Sequence, residues 1–311
     1  AEQYNANQKY SEAVAVAATA CAEDTKGQTC YICTQALHWK TKEGLVRMCS
    51  CRGTAGFAHV SCLAEQAKIL CAEAEENNLI ATEQFGARWA RWYACSLCEQ
   101  EHHGAVRCAL GWAAWKTYVG RPETDLFCIN AMKLLGNGLT AAANYEDALS
   151  VQEAELSILR RLGEPVLETK LVAQNNLAGT YYKLGRLEQA LSLQRDVYSV
   201  WVKVYGGEHQ QTLRAANNYA DSLRSLRRYA EVKSLLRKTI PAARRVFEDS
   251  KEITLRMRWT FAQTLYEDPA ATLDDLREAV TTLEETARTA RRVLGGAHPT
   301  VSGIERTLQN A

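Results

Sequence analysis

The stretch Cys49–Cys62, CSCRGTAGFAHVSC, decides the fold of the first part of this chain. Two cysteines with one residue between them are followed, after seven residues, by a histidine and a cysteine with two residues between them. Fifteen residues before this stretch stands Cys30-x2-Cys33, and thirty-two residues after it stands Cys95-x2-Cys98. Zinc binds four thiolate or imidazole ligands in a tetrahedron, and a closely spaced pair can reach one ion from a single turn. Four such pairs predict two zinc ions.

The distribution of the cysteines divides the 311-residue chain in two, and this length suits about two domains. All 11 cysteines lie at or before Cys128, so the last 183 residues contain none. Disulfide bonds are the alternative use of so many cysteines, but an interleaved histidine has no role in a disulfide framework. The predicted metal ligands are Cys30, Cys33, Cys49, Cys51, His59, Cys62, Cys95 and Cys98.

Other residues of this half lack a ligand pattern. Three aromatic residues recur at helical spacing, which is typical of a core stripe; an aromatic contact surface is the alternative. They are Phe85, Trp89 and Trp92. Three histidines are expected to lie solvated in loops: His38, His102 and His103.

Charge and hydropathy favour protein partners. A formal net charge of +1 and a pI near 7.7 produce no field strong enough to favour nucleic acid or an anionic membrane. No apolar stretch reaches the ~18 residues of a membrane span, and the N-terminal stretch lacks the basic segment and long apolar core of a secretory signal. We therefore expect a cytoplasmic or nuclear protein that neither binds nucleic acid nor spans a membrane.

The spacing Cys-x-Cys-x7-His-x2-Cys, within about residues 28–103, resembles the RING-CH (RING-variant) zinc-finger family. PHD fingers share the ligand order but have a shorter gap before the histidine. The resemblance implies a small α+β cross-brace module in which the pairs interleave. One zinc would be bound by Cys30, Cys33, His59 and Cys62, and the other by Cys49, Cys51, Cys95 and Cys98. Eight protein ligands close both tetrahedra, which disfavours a hydrolytic zinc.

The resemblance also implies a RING-type ubiquitin ligase, an E3 transferase without a catalytic residue of its own. Such a ligase docks a ubiquitin-conjugating enzyme carrying ubiquitin and positions the thioester beside a substrate lysine. Ile32 matches the apolar docking residue of the first zinc loop, and Leu63 and Leu97 are expected to complete that surface.

Two positions depart from the family pattern. Gln66 stands where a tryptophan is common, and Glu99 stands where a basic residue often follows the final cysteine. These departures favour the alternative of a non-catalytic zinc-binding scaffold for protein-protein interaction. A finger that reads chromatin is a third interpretation, which the seven-residue gap and the near-neutral charge disfavour.

The second half is repetitive. From about residue 126 the sequence repeats every 42 residues, with Ala178, Ala220 and Ala262 in register. Each unit has the periodicity of two amphipathic helices. This period and a Gly-Gly-x-His sequence after the second helix resemble tetratricopeptide repeats of the kinesin-light-chain type. We expect an all-α tetratricopeptide-like solenoid that binds a protein substrate or adaptor; the alternative is a generic helical solenoid.

The first helices of such repeats are expected to line a concave groove. Family position places Asn175, Asn217 and Trp259 there, with Arg214, Arg224 and Arg256 nearby. Asparagine amides can pair with the backbone of an extended peptide, and arginines favour an acidic one. A solvated polar face is an equally open alternative.

An apolar segment joins the two halves. Residues 104–119 are predicted to form a buried linking helix that ends at Gly120-Arg-Pro122, since proline starts or stops helices. The predicted domains are an N-terminal segment at 1–27 that could be flexible, the zinc finger at 28–103, the linking helix and turn at 104–125, and the helical repeats at 126–311.

Overall fold

The structure, a computed structural model, describes residues 2–80, 82–162 and 167–310. The protein forms two compact units, residues 1–165 and 166–311. The fold prediction is confirmed: two Cys/His clusters in a cross-brace arrangement precede an all-helical repeat array.

Helices dominate the described residues of both units. Those of the first unit are α1 (Glu2–Ala20), α2 (Val60–Glu76), α3 (Glu83–Trp89), α4 (Gly104–Tyr118), α5 (Leu126–Ala141) and α6 (Tyr145–Leu162), with a 3-10 helix at Ala90–Trp92. Those of the second unit are α7 (Leu167–Lys183), α8 (Leu187–Tyr205), α9 (Gln210–Ser225), α10 (Tyr229–Phe247), α11 (Glu252–Glu267), α12 (Leu273–Leu294) and α13 (Pro299–Asn310). Isolated antiparallel β-bridges join Val46 to Ala58 and Ala94 to Glu101.

Helix α1 forms most of the N-terminal segment at 1–27. Its buried residues recur every three or four positions and so share one helical face: Ala6, Tyr10, Val14 and Ala17. Just beyond the helix, Arg47 donates to both carboxylate oxygens of Asp24, at 2.9 and 2.8 Å. The same guanidinium lies 4.2 Å from the ring centroid of Phe57. The buried face of α1 thus packs into the core of the first unit.

An aromatic cluster ties the zinc-finger segment to the following helices. Trp89 lies 5.7 Å from Tyr118 of α4 and 5.8 Å from Phe127 of α5, between ring centroids. Phe85, Trp89 and Trp92 are all buried. The core interpretation of this aromatic stripe is therefore confirmed.

Helix α4, the predicted linking helix, lies inside the first unit. A Cβ atom added at Gly111 would lie 2.9 Å from the carbonyl oxygen of Leu134 in α5. One added at Gly138 of α5 would lie 2.8 Å from the carbonyl oxygen of Arg107. Because these two glycines have no side chain, the backbones of α4 and α5 can approach each other closely. Because α5 packs on α4, the first compact unit extends beyond residue 126 and includes α6.

The second unit consists of paired helices, and the connections after α8 and α12 contain the Gly-Gly-x-His sequence. Gly206 ends α8 with φ 83°, and Gly295 ends α12 with φ 85°, a conformation that glycine adopts without strain. His209 and His298 then cap the next helices: Nδ1 of each accepts a backbone N–H, from Gln211 and Thr300 respectively, at 3.3 Å.

Equivalent side-chain contacts recur between successive repeats of the second unit. Tyr182 and Ser225 share a 2.9 Å hydrogen bond, and Arg224 donates to Glu267 at 2.8 Å. Each pair is 43 residues apart, close to the sequence period. Among the described residues of the chain, no helix is long and apolar enough to cross a membrane.

Candidate metal centre

The first cluster brings together Cys30, Cys33, His59 and Cys62, whose ligand atoms all lie within 4.8 Å of one another. His59 Nδ1 lies 3.3 Å from Cys33 Sγ and 3.6 Å from Cys62 Sγ. Tetrahedral zinc, with Zn–S of about 2.3 Å and Zn–N of about 2.0–2.1 Å, places nitrogen and sulfur ligands about 3.6 Å apart. The separations therefore fit a zinc ion held by three sulfurs and one nitrogen.

The second cluster consists of Cys49, Cys51, Cys95 and Cys98, again with all ligand atoms within 4.8 Å. Cys51 Sγ lies 3.7 Å from Cys95 Sγ. The edge of a tetrahedral Zn–S4 site is about 3.8 Å. In the described part of the chain every cysteine is a free thiol, so these sulfurs are not committed to disulfides.

The outer cysteine pairs sit in two similar loops, which we call the first cysteine loop (residues 30–33) and the last cysteine loop (residues 95–98). Cys30 N donates to Gln35 O at 3.0 Å, and Cys95 N donates to Gln100 O at 2.9 Å. Each loop is followed by a residue with left-handed backbone, Thr34 at φ 61° and Glu99 at φ 57°. This turn directs both sulfurs of a pair toward one point.

The electrostatics of the clusters suit a divalent cation. Burial lowers the pKa of His59, which keeps the imidazole neutral, the form that binds metals. Its Nε2 lies 3.4 Å from the carbonyl oxygen of Ala36, which fixes the ring orientation. In the second cluster a hydrogen bond from Cys49 lowers the pKa of Cys95, whereas burial and the Cys95 thiolate raise the pKa of Cys51. Crowded sulfurs that compete for protons are stabilised as thiolates by a bound cation.

Sequence reasoning missed Gly56 as a residue of the second cluster. Its φ is 84°, and a Cβ atom there would lie 2.5 Å from Cys51 Cβ and 2.8 Å from Cys51 Sγ. Only glycine combines that backbone with so close an approach. Its place in the seven-residue gap between Cys51 and His59 was the available signal, because a tight return of the chain between ligand pairs favours glycine.

The three predicted docking residues differ in accessibility. Ile32 is 37% exposed and Leu97 is 52% exposed, each within a cysteine loop. Leu63 is only 5% exposed and belongs to the core of the first unit. Leu63 is therefore unsuited to docking, because the inward face of α2 holds its side chain. The expectation of solvated histidines was also wrong for His38 and His102, which are buried.

The predicted groove residues lie on α7, α9 and α11, and most of them contact a neighbouring repeat. Asn217 is fully buried, and Asn175 accepts a 3.2 Å hydrogen bond from Asn218. Trp259 donates from Nε1 to Thr307 of α13 at 2.8 Å. These three side chains are therefore not freely available to a peptide, since they bond and pack between repeats.

Of the three predicted arginines, one bonds to a neighbouring repeat and two are exposed. Arg224 donates to both carboxylate oxygens of Glu267 at 2.8 Å. Arg214 and Arg256 are exposed, with Arg256 3.7 Å from Asp221 in a loose ion pair. Arg214 and Arg256 are thus the accessible members of the predicted set.

Comparisons with known proteins agree with the two halves. The RING-variant domain family matches residues 30–80, and the tetratricopeptide repeat family matches residues 168–245. The first match ends before Cys95 and Cys98, which the structure brings to Cys49 and Cys51. No curated protein sequence matches the chain.

Solved structures similar to this chain include repeat proteins of low identity. A candidate kinesin light chain of Podosopora anserina with nearly identical TPR-like repeats is 14% identical, with a TM-score of 0.46 over 75% of this chain and 97% of that chain. BtubC (BKLC) from P. vanneervenii is 11% identical, with a TM-score of 0.49 over 81% of this chain and 80% of that chain. With its two interleaved Cys/His clusters and its paired helices, this chain combines a RING-variant domain with tetratricopeptide repeats.

Proposed function

We propose that the chain is a RING-CH-type E3 ubiquitin ligase with two zinc ions. Its zinc module would dock a ubiquitin-conjugating enzyme carrying ubiquitin, and its repeats would bind a protein substrate or adaptor. The observation that supports this most directly is that Ile32 and Leu97 are exposed on cysteine loops joined by the hydrogen bond between Tyr31 and Ser96. Two apolar side chains on neighbouring rigid loops form the kind of surface that a folded partner can contact.

The chain contributes positioning to this reaction. When bound, the zinc ions supply structural cross-links that hold the loops rigid. Ile32 and Leu97 then contact the conjugating enzyme, so that its ubiquitin thioester is held beside the substrate amine. Bringing the two reacting groups together in a fixed orientation accelerates aminolysis without a nucleophile from this chain.

The repeats supply the substrate or adaptor contact in this proposal. Tetratricopeptide repeats bind proteins, and the exposed guanidinium groups of Arg214 and Arg256 favour a segment with acidic side chains. The reducing cytosol and nucleus keep thiols available as metal ligands, which favours either compartment for this protein.

A non-catalytic zinc-binding scaffold is the second candidate. It is favoured by Glu99, which is exposed at the end of the last cysteine loop. A carboxylate there presents no hydrogen-bond donor to ubiquitin, whereas a guanidinium would present several.

Ubiquitin discharge distinguishes the two candidates. A panel of charged conjugating enzymes is mixed with free lysine, with and without the intact chain, and loss of the thioester is timed. The ligase proposal expects at least one enzyme to be discharged faster, with most of the acceleration lost in Ile32→Ala. Ile69→Ala is the matched control, because Ile69 is 49% exposed on α2 and belongs to neither cysteine loop.

The Glu99→Arg variant extends the same assay. It should raise the rate if a donor at this position contacts ubiquitin. Absence of acceleration across the panel, by both the native chain and Glu99→Arg, would reject the ligase and favour the scaffold.

A further inference from the structure

A rigid turn projects from the first Cys/His cluster. The Trp39 turn, residues 38–43, is closed by backbone hydrogen bonds from His38 N to Glu43 O at 3.1 Å and from Lys42 N to His38 O at 2.9 Å. Inside it, His38 Nδ1 accepts from Thr41 N at 3.2 Å and lies 2.8 Å from Thr41 Oγ1. The buried histidine thus fills the turn from within and fixes its shape.

Both ends of the turn are anchored to the metal-binding module. The carboxylate of Glu43 accepts from Ser61 N at 2.7 Å and from Ser61 Oγ at 2.8 Å, at the start of α2. At the other end, the ring of His38 packs edge-on against the ring of His59, with centroids 5.3 Å apart. The position of the turn is therefore coupled to the first cluster.

This rigid element displays large apolar side chains to solvent. Trp39 is 68% exposed and Leu37, which immediately precedes the turn, is 58% exposed. An exposed tryptophan on a preorganised backbone loses little conformational entropy on binding, and tryptophan is enriched among the residues that dominate interface energies. Exposed Lys40 and Lys42 lie on either side of Thr41 and add positive charge next to the tryptophan.

The exposed residues lie close in the chain to the proposed docking residue Ile32 and stand beside the same metal cluster. The imidazole of His59 contacts Cys33 Sγ through Nδ1 and the carbonyl oxygen of Ala36 through Nε2. Ile32 immediately precedes Cys33, and Leu37 immediately follows Ala36. Ile32 and Leu37 are therefore each next in the chain to a residue that contacts the His59 imidazole.

We propose that Leu37 and Trp39 form a second contact element for the conjugating enzyme, next to Ile32. This inference rests on the proposed function and extends it. The chemistry of the Trp39 turn requires a recess on the conjugating enzyme that accepts an indole ring and carries acidic side chains opposite Lys40 and Lys42. Trp39 is a docking residue here, without contact to the reacting thioester.

The test uses the intact chain and a conjugating enzyme that it discharges. The rate of discharge onto free lysine is measured against the concentration of the chain. Trp39→Ala should raise the half-saturating concentration at least about tenfold, as for a residue that dominates an interface, and should leave the rate at saturation and the zinc content unchanged. The half-saturating concentration of Trp39→Phe should lie between those of Trp39→Ala and the native chain. Tyr4→Ala is the control, because Tyr4 is an aromatic residue of α1 that is 76% exposed.

Charge and folding are checked with further variants. The double variant Lys40→Glu/Lys42→Glu should also raise the half-saturating concentration, and more strongly at low salt. If Trp39→Ala releases zinc, the test uses Leu37→Ala and this double variant instead. Titration curves like that of the native chain for both of these variants would overturn the inference.

The outcomes separate the inference from the function on which it rests. If the native chain discharges ubiquitin and Ile32→Ala impairs it, but Trp39→Ala has a native titration curve and zinc content, the inference is wrong and the ligase proposal stands. If Trp39→Ala lowers only the modification of a protein substrate, the turn binds substrate and the inference is again wrong. Absence of discharge with every conjugating enzyme, by both the native chain and Glu99→Arg, overturns both.

Discussion

The phenolic oxygen of Tyr31 lies 3.0 Å from the hydroxyl oxygen of Ser96, so one hydrogen bond joins the first cysteine loop to the last. Tyr31 lies between two ligands of the first cluster and Ser96 between two ligands of the second, and each stands beside an exposed apolar residue, Ile32 or Leu97. The relative position of these two apolar side chains therefore depends on a contact between the clusters.

This contact predicts a docking defect without loss of metal. Tyr31→Phe removes the hydrogen bond, which costs about 1 kcal/mol of stability for a typical bond, and allows the loops to separate. We expect a higher half-saturating concentration of the chain in ubiquitin discharge, with two zinc ions still bound. Tyr4→Phe is the control on α1. An unchanged titration curve for Tyr31→Phe would show that the hydrogen bond does not position the docking residues.

The interleaved clusters predict two zinc ions in the native chain and one in Cys95→Ser. The variant should lose the second ion, because one ligand in four is replaced by a weak one, and should lose structure around the last cysteine loop. The repeats should remain helical, since solenoid units depend mainly on their neighbours. Elemental analysis and circular dichroism provide the measurements. Cys128→Ser, at a buried cysteine outside both clusters, should retain two ions, and two ions in Cys95→Ser would contradict the ligand assignment.

Substitution of glycine by alanine should have opposite effects on stability at Gly138, where α4 and α5 approach closely, and at Gly179, which faces open space. Gly138→Ala places a methyl group against the backbone of Arg107 and should destabilise the first unit by roughly 1–3 kcal/mol. Gly179→Ala faces open space in α7 and should stabilise the second unit by up to about 1 kcal/mol, because alanine is the better helix former. Urea denaturation of both variants measures the difference, and equal effects at the two sites would contradict the close packing.

The same packing argues against a proteolytic fragment that begins at residues 120–125. Helix α5 would lose its contacts with α4 in such a fragment, and its buried apolar face would be exposed. Limited proteolysis of the native chain should therefore leave α4 and α5 together.

The cap of α13 predicts weaker local structure in acid. His298 Nδ1 accepts from Thr300 N, so the cap requires the unprotonated ring, and burial lowers the pKa of His298 despite the opposing charge of Glu252. The unfolded chain then binds more protons than the folded one as the pH falls below the unfolded pKa of about 6.5. The stabilisation present above that pH is therefore lost as the pH falls toward the lower folded pKa.

Hydrogen exchange of the α13 amides at pH 7.5 and pH 5.5 measures this loss, after correction for the intrinsic pH dependence of exchange. The variant His298→Asp keeps an acceptor that remains ionised at both pH values, so its protection should change less than in the native chain. Equal changes in the two proteins would contradict the role of His298.

Much of the candidate site follows from local spacing. Closely spaced ligands can reach one ion from one turn, and eight ligands in four pairs hold two ions, so the number of ions could be predicted from spacing alone. Which pairs share an ion was implied only by the resemblance to the RING-CH family, and the structure shows the pairs brought together in that way. The 42-residue period likewise determined the repeat array, because each helix pair buries its apolar face only against a neighbour.

Accessibility was decided by the tertiary structure. Leu63 and Ile32 are both apolar residues next to a cysteine ligand, yet packing of α2 buries the first while the cysteine loop exposes the second. Asn217 has the sequence position of a groove residue but is buried between repeats. Trp39 was inconspicuous in sequence because its exposure depends on His38 and Glu43 bonding back to the module. Ligand spacing and helical period are properties of neighbouring residues, whereas exposure of a side chain depends on which distant segments cover it.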